Sequence, residues 1–95
     1  MKLKLLAEAA AIFYKTPLSR SGGRHGNTFS TKVRHVCQWV ARADGCSISV
    51  IARFWNLDRT AVYYGCRMME NRIETDEQEK EQVKEFLEYL MVYIK

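Results

Sequence analysis

The sequence predicts an all-α fold of about five helices with a helix-turn-helix near its centre, and three observations predict it. Apolar residues recur at helical spacing in every regular segment, as in Leu3, Leu6, Ala10 and Phe13, and nowhere alternate with the period of a strand. Helix stop and start residues come in pairs, Gly45 with Ser47 and Asn56 with Asp58, in a chain with a single proline. The stretch IARFWNLDRTAVYYG, Ile51 to Gly65, is an amphipathic run broken in the middle by Asn56-Leu57-Asp58. The 95 residues fit one domain, 1–95, large enough to bury more than half of its unfolded surface without a disulfide or metal staple.

The first helix is predicted from about Lys2 to Tyr14, closed by Pro17 and the serine and glycines after it. The segment SRSGGRHGNT, Ser19 to Thr28, has three glycines, two arginines and no apolar residue, and residues 15–29 read as a basic loop. Ser30 or Thr31 is the expected cap of a second helix carrying Val33, Val36, Cys37, Val40 and Ala41 on one face. Residues 47–74 read as the helix-turn-helix. Ser47 opens its short first helix, with Ile48, Ile51, Ala52 and Trp55 inward. Asp58 caps the second, with Val62, Cys66, Met69 and Ile73 inward. Thr75 or Asp76 caps a C-terminal helix over 76–95, with an apolar stripe of Val83, Phe86, Leu87, Leu90, Met91 and Ile94.

Four positions orient the helix-turn-helix. Ala52 is small where the two helices cross, Asn56 tolerates the left-handed conformation of the turn, Leu57 plugs the corner and Val62 anchors the second helix. The face left outside carries Arg59, Thr60, Tyr63, Tyr64 and Arg67, with Ala61 at its margin. An α-helix fits the DNA major groove and reaches base edges with its N-terminal residues. Arg59 has the fork to bridge O6 and N7 of guanine, and Thr60 suits a thymine methyl or a phosphate. Asp58 can accept from a cytosine amino group while capping, and Tyr63, Tyr64 and Arg67 lie where phosphate contact is expected.

The charge distribution points the same way. Net charge is +4, with eight Lys/Arg against two acids over residues 1–45 and three against six over 75–95. A basic half with aromatic-rich helices suits a polyanion. No apolar run reaches the roughly 20 residues of a membrane span, and Glu8 interrupts the one N-terminal stretch that resembles a signal peptide. Cys37, Cys46 and Cys66 lie 9 and 20 residues apart, an odd count without the CxxC spacing of a zinc site. They are expected to be reduced thiols, and no metal or cofactor is expected. The carboxylates cluster on the last helix as a solvated face, and neither histidine has a nucleophile spaced beside it, so an enzyme is not expected.

From Ser30 onward the chain resembles the C-terminal DNA-binding domain of the bacterial replication initiator DnaA. The likeness is carried by Arg34 in VRHVCQWVAR, by SISVIARFW, by LDRTAV and by GCRM, so that Asp58, Thr60, Val62, Cys66 and Arg67 match the family's pattern. The preceding AAIFYKTPLSRSGGRHG looks like that domain's first helix and basic loop. The resemblance implies a Trp-repressor-like helix-turn-helix, with its second helix in the major groove and the loop in the adjacent minor groove. It implies base or phosphate contacts for Asp58, Thr60 and Arg67, a phosphate contact for Arg34, with Lys32 beside it, and minor-groove contacts for Arg20 and Arg24. Three residues depart from the family. Arg59 stands for its histidine, Ala61 for its second threonine and Met68 for a phosphate-binding lysine, and the turn is one residue shorter. A different base preference is therefore expected. With no GxxxxGK[ST] and 95 residues, the chain holds no initiator ATPase, and reads as an excised domain or a stand-alone relative of the kind mobile elements and phages carry.

The expected function is sequence-preferring binding of double-stranded DNA in replication or transcription control, in the cytoplasm of a bacterial or phage-infected cell, close to the nucleoid. The alternative is a protein-interaction module of the same fold, which modulates the replication or transcription machinery without touching DNA. Val83, Leu87, Leu90 and Ile94 have the 4-3-4 spacing of a helix–helix seam, so a monomer or a weak homodimer is expected.

Overall fold

Apolar periodicity and local capping build five helices in a computed structural model that describes residues 1–16, 18 and 28–94. They are α1 (Leu3–Phe13), α2 (Thr28–Ala43), α3 (Ile48–Trp55), α4 (Arg59–Thr75) and α5 (Glu77–Tyr93), with no strand among the described residues. The fold is all-α, as expected.

Three of the helices end on the same backbone device. Lys15, Gly45 and Asn56 each take a positive φ, at 54°, 103° and 57°. In each case the next N–H reaches back to the carbonyl five residues earlier: Thr16 to Ala11, Cys46 to Ala41 and Leu57 to Ala52, all within 3.0 Å. This is the Schellman closure, which satisfies carbonyls the helix leaves open. Glycine and asparagine enter that conformation readily; Lys15 carries the cost of a Cβ there. The first helix therefore stops at Phe13, before Pro17, which lies outside the described residues.

The helix starts follow side-chain chemistry. Ser47 accepts from the Val50 N–H at 3.2 Å, Asp58 from Ala61 at 2.8 Å, and Asp76 from Gln78 and Glu79 at 2.9 and 3.3 Å. The expected cap of α2 is corrected. That helix already begins at Thr28, inside the 15–29 expected as loop, so neither Ser30 nor Thr31 caps it. Ser30 is buried, and its hydroxyl shares a hydrogen bond of 3.1 Å with Thr16. Phe29 lies edge-on to Tyr14, 6.2 Å between ring centres. The tertiary contact to the end of α1 thus takes the Ser30 hydroxyl, while that of Thr31 accepts from Arg34 within α2.

α2 runs through the middle, packed against α1, α3 and α4, and its pairing with α4 is the most extensive in the fold. Val33, Val36, Cys37, Val40 and Ala41 are all buried. The close approach of α4 depends on Gly65: a Cβ there would lie 2.7 Å from Gln38 Oε1 and 2.9 Å from His35 Cδ2. On the far side, Phe86 of α5 is fully buried against Phe13 and Tyr14, with ring centres 5.4 and 5.5 Å apart. The stripe on α5 is narrower than expected. Val83, Phe86 and Leu90 are buried, but Met91 and Ile94 are 66% and 44% exposed. Leu87, Met91 and Ile94 rim a shallow apolar groove facing Trp39, Val40 and Ala43 of α2.

The α2–α4 crossing also makes stability pH-dependent. Burial, then the neighbouring Arg72 and Arg34, hold the His35 imidazole below its ordinary range. A histidine depressed in the folded state binds its proton more tightly when unfolded, so folding is opposed below the unfolded value of about 6.5 and unaffected well above it. The melting temperature is expected to fall between pH 7.5 and 5.5, and to fall less in His35→Gln. Equal slopes for the two proteins would remove His35 from the account.

Candidate nucleic-acid interface

The turn between α3 and α4 is three residues, Asn56-Leu57-Asp58. Ala52 and Val62 are buried, Leu57 packs half-buried against the core and Asn56 adopts φ 57°, ψ 46°. All four orienting positions therefore stand as the sequence predicts. They turn Arg59, Thr60, Tyr63, Tyr64 and Arg67 outward; the two tyrosines are 52% and 64% exposed, and Ala61 is half-buried at the edge.

This face is two shallow grooves that meet at Tyr63. One, of about 420 Å³, is lined by Arg59, Thr60 and Tyr63 of α4, Ser47, Ile48 and Ser49 at the head of α3, and Arg42 of α2. The other, also about 420 Å³, is lined by Tyr63, Tyr64, Arg67, Met68 and Asn71. Neither lining includes a carboxylate. The first groove is thus a cationic, hydroxyl-rich trough suited to an anionic, oxygen-bearing surface.

Arg42 is the residue that sequence reasoning missed. It sits in the last turn of α2, where Nη1 donates to the Cys46 carbonyl at 3.5 Å, close to the head of α3. The signal was present in Gly45. A Schellman turn folds the chain back, bringing Ser47 beside the helix it has just left.

Asp58 is exposed, and one of its carboxylate oxygens already accepts from Ala61. Asp58→Ala is expected to cost about 1 kcal/mol of stability as a lost cap, and Asp58→Asn much less, because asparagine caps as well. Denaturant titration of both variants checks this; an equal loss would assign the effect to charge instead of capping.

The other expected contacts are separate from these grooves. Arg34 is half-buried on α2 and donates to the Thr31 hydroxyl at 3.1 Å. Lys32 is exposed beside a small cavity of about 100 Å³ that Tyr14, Arg72 and Glu79 also line. There Arg72 bridges α4 to α5 through Glu79 at 2.9 Å, and reaches the Lys32 carbonyl at 3.5 Å. Arg20 and Arg24 lie outside the described residues.

The cysteines are free thiols, with Cys37 buried. Burial pushes the Cys37 thiol up to about 12, and raises that of Cys66 against the opposing pull of Arg42. Neither is poised as a nucleophile. Among the described residues no three histidine, cysteine, aspartate or glutamate side chains converge to hold a metal ion, and no helix is long and apolar enough to cross a membrane. Comparison of the chain with protein-family models and with curated proteins finds no match.

Proposed function

We propose that the chain binds double-stranded DNA with sequence preference, α4 entering the major groove and the basic loop, through Arg20 and Arg24, the adjacent minor groove. One observation carries the reading: Arg42, Arg59, Thr60 and the serines at the head of α3 line a single open trough without a carboxylate. In this arrangement α3 and Arg42 rest on one phosphate strand while the first turn of α4 faces the base edges. The DnaA-like residues Asp58, Thr60, Cys66 and Arg67 support the same assignment. They suggest a role in replication or transcription control in a bacterial or phage-infected cell.

Binding to a random duplex followed by fluorescence anisotropy tests the reading. Log K is expected to fall linearly with log salt, by about 0.9 for each phosphate neutralised. Arg42→Ala is expected to reduce that slope by about one such step on every sequence. Absence of salt-sensitive binding would reject DNA as the partner. It would favour a protein-interaction module, for which the exposed Tyr64, Met68 and Met91 are the anchoring side chains.

A further inference from the structure

We propose that Tyr63 reads a base edge as a hydrogen-bond donor, its hydroxyl held in that sense by Arg67, so that the contacted position excludes cytosine. The inference rests on the DNA-binding reading above and concerns how that site discriminates. Tyr63 forms the ridge shared by the two grooves, half of it in solvent. One turn further along α4, Arg67 Nη1 donates to the Tyr63 hydroxyl oxygen at 3.4 Å, and its guanidinium carbon lies 6.0 Å from the ring centre.

The direction of that bond decides the rest. A guanidinium has five donors and no acceptor, so the phenolic proton cannot point toward Arg67. It points away from Arg67, and neither groove that Tyr63 lines has a carboxylate to take it. A cationic donor on the oxygen also makes the remaining O–H a stronger donor. Tyrosine alone is ambivalent, able to give or to accept; paired with Arg67 it presents a donor.

Major-groove edges answer a donor unequally. Guanine offers N7 and O6, adenine N7 and thymine O4, whereas cytosine offers only its amino group, which sets donor against donor. One position of the bound site should therefore tolerate guanine, adenine or thymine on the contacted strand and reject cytosine.

Selection of bound sites from a random duplex pool, run with the wild type, Tyr63→Phe, Arg67→Ala and the double variant, tests this. The wild-type pool is expected to be depleted of cytosine at one position. Tyr63→Phe should relieve that depletion by about three- to tenfold, the size of one neutral hydrogen bond. Arg67→Ala should relax the same position, and the double variant should go no further there than the stronger single one. Tyr63 is on the surface, so an unchanged melting temperature for Tyr63→Phe verifies that the fold is intact. A uniform loss across all sequences would make Tyr63 a phosphate contact and overturn the inference, as would an unaltered Tyr63→Phe pool. A wild type that retains no duplex at all would overturn the DNA-binding reading, and this inference with it.

Discussion

Phe86→Ala is expected to lower the unfolding free energy by about 3–5 kcal/mol, the range for deleting a fully buried aromatic ring. Phe86 has no exposed surface and touches the rings of both Phe13 and Tyr14. Those rings belong to the end of α1, which its own backbone closure already fixes in place at Lys15. Neighbours so constrained cannot close around the void. The lost ring therefore costs both its transfer energy and the cavity left behind. Because a domain of this size holds only about 5–15 kcal/mol in total, the variant should unfold at much lower denaturant with an unchanged slope. A loss below about 1.5 kcal/mol, small for this class of substitution, would mean that α5 is not packed as described. Met91→Ala, on the exposed rim of the same helix, is the contrast: little should change, since its side chain remains two-thirds in solvent.

The largest functional effect is expected from Arg59→Ala, a weakening of about 1–3 kcal/mol on the preferred site together with relaxed preference at one position. Arg59 opens α4 immediately after the Asp58 cap, is exposed, and lines the trough with Thr60 and Arg42. Arg59→Lys should not restore the preference. An ammonium keeps the charge but lacks the planar fork that spans two acceptors on guanine. Comparison with Arg42→Ala separates the two kinds of contact. A base contact loses affinity on its preferred sequence, and a phosphate contact loses it equally on all sequences and flattens the salt dependence. Competition binding with preferred and scrambled duplexes at two salt concentrations reads both quantities. Identical profiles for the two arginine variants would refute the assignment of Arg59 to a base.

The residue pattern by itself determined the five helices, the caps at Ser47 and Asp58, a choice between Thr75 and Asp76 for the last, and the outward face of α4. Each of these follows from interactions spanning only a few residues. A carboxylate or hydroxyl meets an N–H two or three positions ahead, an asparagine takes the turn, and an alanine and a valine set which side faces in. Such forces act within one or two turns of chain and are written in local spacing. The tertiary structure alone decided the rest, because it turns on which distant segments become neighbours. Ser30 bonds Thr16 instead of capping α2, and α5 turns Met91 away from the core. Gly65 lets α4 settle on His35 and Gln38, and Arg42 joins Arg59 across a groove built from three helices. A helix wheel shows that a side chain points away from its own axis; only packing shows what stands opposite it.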